Sequence, residues 1–104
     1  MTKPFKPAEV FPPGDYLRDE LVSRRWTQGD FARIIGRPLQ TVNEIINNRK
    51  RITVETAKAI GLALGTSPEL WLNLQNYYDL HTTPDPDPMI EKRAASKTRA
   101  TTSV

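Results

Sequence analysis

A stripe of hydrogen-bonding side chains recurs at helical spacing in the middle of this chain. At about 3.6 residues per turn, Gln40 and Glu44 lie one turn apart on one side of a helix, with Thr41 and Asn43 on its shoulders. An amide can pair with adenine, a carboxylate can accept from the cytosine amino group, and arginine favours guanine. This pattern therefore predicts a surface that reads base edges in the major groove of DNA.

The predicted base-reading residues comprise this polar face and the residues at its start. Leu39 either packs inward or contacts a thymine methyl group, and both options stay open. The full set is Arg37, Leu39, Gln40, Thr41, Asn43 and Glu44.

A second set of residues is suited to the DNA backbone rather than to the bases. Gln28 stands at the start of the preceding helix, where exposed N–H groups also attract a phosphate. The bases that follow the polar helix should flank the duplex and neutralise its charge. The predicted phosphate-binding set is Gln28, Arg33, Asn47, Arg49, Lys50 and Arg51, and Arg33 and Arg37 can serve either role.

Two short amphipathic helices joined by a tight turn at Gly36 must position these side chains. The first is apolar at Phe31, Ala32 and Ile35, and the second at Val42, Ile45 and Ile46. This arrangement is typical of a helix-turn-helix, whose second helix enters the major groove. A helix bundle with a polar outer stripe would show the same periodicity.

The charge distribution favours the DNA-binding alternative. The whole chain of 104 residues carries a net charge of +3. Residues 24–51 contain seven bases and two acids (+5), whereas residues 52–91 contain one base and six acids (−5). The basic block coincides with the helical pair, as expected for a surface that binds nucleic acid.

Helix-boundary signals predict an all-α fold of five helices. A capping residue or a proline marks each start, and glycine, asparagine or a basic pair marks most of the ends. The predicted helices run from about Pro13 to Arg25, from a Thr27 cap to Gly36, from Pro38 to a left-handed Asn48, from a Thr53 cap to Leu64, and from a Ser67 cap to about Leu80.

Composition divides the chain into three parts. Residues 1–12 are rich in proline and predict an extended arm, and residues 13–80 predict the helical DNA-binding and dimerisation domain. Residues 81–104 predict a disordered basic tail, because the prolines of residues 83–88 exclude a helix and the remainder is small and polar.

The fifth helix has a wider apolar and aromatic face than a small core requires. A domain of this size is marginally stable alone, and a homodimer would bury the excess surface. The predicted interface is Leu70, Trp71, Leu74, Tyr77 and Tyr78.

Several classes of function are disfavoured. The only histidine, His81, lies at the edge of the predicted tail, so the chain supplies no catalytic triad and is not expected to be an enzyme. The absence of cysteine excludes thiolate metal sites, and we expect no metal, cofactor or small-molecule substrate. The sequence shows neither a membrane span nor a secretory signal, which predicts a cytoplasmic protein.

Three segments together resemble the HigA/VapI-type antitoxins of the Cro/phage-repressor (XRE) class. They are Pro13–Leu21, Val42–Asn47 with the following Arg51–Thr53, and Ala63–Gln75, and the last is the most specific. The resemblance implies a lambda-repressor-like fold and a bacterial antitoxin that dimerises on operator DNA and represses its own operon. It also implies that the partner is a HigB-like toxin, an mRNA-cleaving ribonuclease of the RelE class. The alternative is a stand-alone XRE repressor without a toxin.

Overall fold

A computed structural model describes residues 10–100, with side chains as far as residue 97, and this part of the chain is all-helical. It contains six helices rather than the predicted five: α1 (Pro13–Arg24), α2 (Gln28–Ile35), α3 (Leu39–Ile46), α4 (Val54–Leu64), α5 (Pro68–Thr82) and α6 (Met89–Ala100). Within the described range, no helix is both long enough and apolar enough to cross a membrane.

The helix starts follow the capping signals closely. The Thr27 hydroxyl accepts from the Asp30 N–H and the Asp30 carboxylate accepts from the Thr27 N–H, which completes the predicted capping box. The hydroxyls of Thr53 and Ser67 accept from the N–H groups of Thr56 and Leu70 and so cap α4 and α5. The predicted start of α3 at Pro38 is wrong by one residue, because Pro38 is extended and occupies the N-cap.

A residue in the left-handed conformation follows each of the helices α1 to α4. Gly36 and Gly65 adopt φ values of +68° and +75° after α2 and α4. Asn48 adopts +61° after α3, which confirms its predicted conformation, and Arg25 adopts +59° after α1. These sharp ends allow successive helices to turn back and cover one core.

The core lies among α1 to α5 and is built from the apolar faces of all five. Trp71 is its largest member, 1% exposed, and the indole N–H donates to the Thr66 hydroxyl at 2.8 Å. Placing Trp71 in a dimer interface was therefore wrong, since its ring is already enclosed within one chain. The other buried apolar residues are Leu17, Leu21, Phe31, Ala32, Val42, Ile45, Ile46, Ile52, Ala57, Ile60 and Leu64.

The start of α1 closes tightly on the end of α3. The Gly14 N–H donates to Asn48 Oδ1 at 3.0 Å, and an Arg18 guanidinium nitrogen donates to Asn47 Oδ1 at 3.1 Å. A Cβ atom on Gly14 would stand 2.4 Å from the Ile46 carbonyl oxygen, so only glycine fits here. This junction fixes the end of the helix that carries the predicted base-reading face.

The predicted disordered tail requires correction. The proline-rich linker at residues 83–88 is non-helical as expected, but residues 89–100 form α6. Asp87 accepts from the Met89 N–H at 2.9 Å, and the helix formers alanine, lysine, arginine and glutamate dominate the segment. The predictions made for residues 1–9 and 101–104 lie outside the described residues.

The capping box of α2 should make part of the protein's free energy of unfolding depend on pH. Hydrogen bonds from the backbone and hydroxyl of Thr27, followed by the charge of Arg33, hold the pKa of Asp30 below its ordinary 3.8. The stabilisation is therefore complete above pH 3.8 and lost as the pH falls through the lowered pKa. In urea titrations at several pH values, we expect Asp30→Asn to be less stable than the parent at pH 7, and the difference to shrink on acidification. A pH-independent difference would contradict this origin.

Candidate nucleic-acid interface

The exposed face of α3 carries most of the predicted base-reading residues. Gln40 and Asn43 are exposed, and Thr41 and Glu44 are half-buried beside them. Leu39 is 54% exposed and so does not belong to the core. Val42, Ile45 and Ile46 are buried on the opposite side, as the periodicity predicts. The helix therefore presents a polar face with one apolar side chain at its start.

A hydrogen bond joins the first turn of α2 to the exposed face of α3. Asn43 Nδ2 donates to Gln28 Oε1 at 3.1 Å. The two residues were predicted for different roles, one for bases and one for a phosphate, and the fold brings them together. The Gln28 amide N–H groups and the Asn43 carbonyl oxygen are not used in this bond. The pair can therefore donate to a phosphate on one side and accept from a base on the other.

The cations around this face are held by carboxylates. Arg33 pairs with Asp30 at 2.6 Å, Arg37 with Glu55 at 2.7 Å and Lys50 with Glu44 at 3.9 Å, and Arg51 pairs with Asp79. Most of these side chains are at least partly exposed, so each pair contributes little to stability and can exchange for another anion. Sequence reasoning named the cations and missed the partners Glu55 and Asp79, which lie in other helices.

The loop after α3 is attached to that helix through Glu44. The Glu44 carbonyl oxygen accepts from the backbone N–H groups of Arg49 at 2.8 Å and Lys50 at 3.2 Å. Both basic side chains are exposed beyond this turn. Asn47, also exposed, has its side-chain oxygen occupied by Arg18. The basic loop thus has a fixed position relative to the polar face of α3.

A buried glutamine connects the same loop to α5. Gln75 is 5% exposed; its Oε1 accepts from the Ile52 N–H at 2.8 Å and its Nε2 donates to Asp79 at 3.1 Å. A cavity of about 240 Å³ lies beside it, lined by the loop residues Asn48 to Arg51 and by the second half of α5. The sequence contains one signal that could have identified Gln75: it is an amide on an otherwise apolar helix face. A buried amide there requires hydrogen-bonding partners.

The predicted dimer residues do not share one environment. Leu70 is 43% exposed and Tyr77 is 49% exposed, whereas Tyr78 and Leu74 are half-buried and Leu74 packs against the core. Leu70, Leu74 and Tyr77 follow one another along one side of α5 at helical spacing. Leu70 and Tyr77 expose the two ends of this stripe, and Leu74 between them is shared with the core.

Comparisons with known proteins agree with this geometry. A family model described as helix-turn-helix matches residues 17–71. An uncharacterised helix-turn-helix transcriptional regulator of Haemophilus influenzae is 37% identical over 76 residues, covering 72% of this chain and 68% of the relative.

Solved structures extend the similarity to antitoxins. An addiction module antidote protein of a HigA family from Coxiella burnetii is 28% identical with a TM-score of 0.68, covering 92% of this chain and 99% of the other. The Pseudomonas aeruginosa antitoxin HigA, solved with the higBA promoter, is 28% identical with a TM-score of 0.69 and covers 92% and 96%.

Proposed function

Because this chain belongs to the helix-turn-helix family of transcriptional regulators, we propose that it is a HigA-like antitoxin that binds operator DNA as a dimer. It would repress its own operon and neutralise a HigB-like toxin. The chain is a DNA-binding regulator and not an enzyme. The observation that carries the proposal is the exposed polar face of α3, flanked by exchangeable cations on both sides.

The proposed binding mode assigns each side of this surface a separate role. Gln40, Thr41, Asn43 and Glu44 face the base edges with Arg37, and the exposed Leu39 contacts a thymine methyl group. Backbone contacts come from both flanks and fix the register of α3. The proposed phosphate-binding residues are Gln28, Arg33, Asn47, Arg49, Lys50 and Arg51.

Two alanine substitutions should separate base reading from phosphate binding. Gln40→Ala should lower discrimination at one base pair by about 1–3 kcal/mol, because its amide can pair with a base edge. Lys50→Ala should weaken binding to all sequences about equally and reduce the salt slope of the dimer by about 2, because each protomer loses one phosphate contact. The measurement is a titration of both variants against an operator selected from random duplexes and against its single-base variants. Identical effects of the two substitutions would refute these roles.

The proposed dimer uses the stripe along α5 defined by Leu70, Leu74 and Tyr77. Leu70→Glu combined with Tyr77→Glu should give monomers in sedimentation velocity, because two charges would be buried at the interface. Leu62→Glu is the matched control, since Leu62 is exposed on α4 and lies outside the stripe. Dissociation by the control alone would place the interface on α4. A dimer should also require operator half-sites about 10–10.5 base pairs apart, or a multiple of that distance.

Toxin neutralisation is supported by the similarity to HigA-family antitoxin structures. The test is to express the product of the adjacent reading frame, measure mRNA cleavage, and add this chain. Loss of cleavage together with co-purification of the two proteins is the expected result. A stand-alone repressor is the second candidate, because the Haemophilus influenzae relative is described only as a transcriptional regulator. An adjacent product without ribonuclease activity would favour that candidate.

A further inference from the structure

The last helix carries a basic face that the proposed function does not use. In α6, the cations Lys92, Arg93 and Lys97 fall within an arc of about 140° at about 3.6 residues per turn, and Glu91 lies on the other side. All described side chains of this helix are exposed. The face is therefore open to an anionic partner.

The hydrogen bonds at the start of α6 are local. Asp87 caps the Met89 N–H and pairs with Arg93, whose guanidinium also donates to the Met89 carbonyl oxygen at 3.3 Å. A helix of 12 residues is marginal in water unless it packs on something. An extended anion placed along the basic face would supply that missing stabilisation.

The tether limits how far α6 can lie from the basic loop after α3. Arg51, in the basic loop after α3, pairs with Asp79, and α5 ends at Thr82, about 4.5 Å further along the helix axis. The linker of residues 83–88 spans about 19 Å when extended at about 3.1 Å per residue. The start of α6 can therefore reach about 25 Å from the phosphate-binding loop.

We propose that α6 is a second phosphate contact, which binds the DNA backbone outside the segment read by α3. This inference rests on the proposed function, because it needs the duplex to be held at the basic loop. Duplex DNA fits the face because its phosphates form a continuous line of charge. Asp85 in the linker is repelled by that line and Asp87 is paired with Arg93, so the contact is made by α6 and not by its tether.

The test compares the parent with the triple variant Lys92→Gln, Arg93→Gln and Lys97→Gln. The probe is a duplex selected by the parent from a random-sequence library, used both trimmed to its protected segment and extended by about 15 base pairs on each side. On the extended duplex the dimer loses six contacts, three in each protomer, which should reduce the salt slope by about 5, so that the parent loses about 1,000-fold more affinity than the variant between 50 and 200 mM salt. On the trimmed duplex the parent and the triple variant should bind with the same affinity and the same salt slope.

The control is the double variant Lys92→Arg and Lys97→Arg, which keeps the charges and should behave as the parent does. Equal salt slopes for the parent and the triple variant on the extended duplex would overturn the proposal while leaving operator binding intact. A triple variant that binds DNA normally but loses a protein partner would overturn it in favour of a protein contact. Failure of the parent to select any duplex would instead refute the proposed function.

Discussion

Trp71→Ala is expected to lower the free energy of unfolding by about 3–5 kcal/mol, the largest effect of any single substitution considered for this chain. The indole is 1% exposed and lies among the residues of the one core that α1 to α5 share. Its removal leaves a cavity and also leaves the Thr66 hydroxyl without the indole N–H. Small domains typically have a free energy of unfolding of about 5–15 kcal/mol, so this loss is a large fraction of the total.

Urea unfolding followed by circular dichroism measures this loss, and an exposed leucine outside both the core and the proposed dimer stripe provides the control. Leu62→Ala should change the free energy of unfolding by about 0.5 kcal/mol or less, because Leu62 is 89% exposed on α4. DNA affinity of the Trp71 variant should fall only in proportion to its unfolded fraction. If the Trp71 variant is as stable as the parent but cannot dimerise, Trp71 belongs to the dimer interface and not to the core.

The error over Trp71 shows what a hydrophobic pattern can and cannot decide. Spacing identified the apolar side of α5, but the same side serves the core at Trp71 and faces solvent at Leu70 and Tyr77. Periodicity reports which residues avoid water and not which partner covers them. The distinction depends on how α5 rotates against α4 and α1, which is a property of the whole packing.

Helix ends were predictable because their determinants are local. Thr27, Thr53 and Ser67 each cap a helix through a hydrogen bond that spans three residues, and Asn48 adopts the left-handed conformation at a helix end. The exception is α6, because the small and polar composition of the residues after the linker predicted disorder there. Alanine, lysine and arginine favour a helix once Asp87 provides a cap.

The candidate site also combines features that local sequence predicts with features that depend on how the helices pack. The polar face of α3 follows from helical spacing, and the structure exposes Gln40 on it as expected, although Asn43 is more exposed and Glu44 less exposed than predicted. The partners of the cations do not follow, because Arg37 meets Glu55 and Arg51 meets Asp79 only after the helices pack. Gln75 shows the same limit, since its bond to the Ile52 N–H spans 23 residues.

Gly14→Ala should reduce both stability and DNA affinity, because the added methyl group has no space at the junction of α1 and α3. Its Cβ would stand 2.4 Å from the Ile46 carbonyl oxygen and 2.5 Å from that of Ile45. Backbone oxygens cannot rotate away as a side chain can, so α1 must withdraw from the end of α3. Such overpacking costs about 1–3 kcal/mol. Withdrawal would also break the hydrogen bond from the Gly14 N–H to Asn48.

The expected loss of DNA affinity follows from the position of this junction, which fixes the end of α3 and the start of the basic loop. Asn48 leads directly into the basic loop, and Arg18 of α1 donates to Asn47. A displaced α1 would therefore release the end of the proposed recognition helix. The proposed phosphate-binding residues beyond that end would lose their fixed position as well. Gly14→Ala should therefore weaken operator binding even at temperatures where the variant remains folded. Circular dichroism and DNA titration on the same sample separate the two losses.

Gly29→Ala is the matched control, because it makes the same change in a helix with room for it. Its Cβ would meet only side-chain atoms, the Thr27 hydroxyl at 3.6 Å and an Arg33 nitrogen at 3.7 Å, both at ordinary contact distance. Alanine is favoured over glycine within a helix by about 0.5–1 kcal/mol, so this variant should be as stable as the parent or more so. The two substitutions should thus act in opposite directions. Equal effects would show that the closeness of α1 to α3 does not determine the cost, and that the glycines act only through helix propensity.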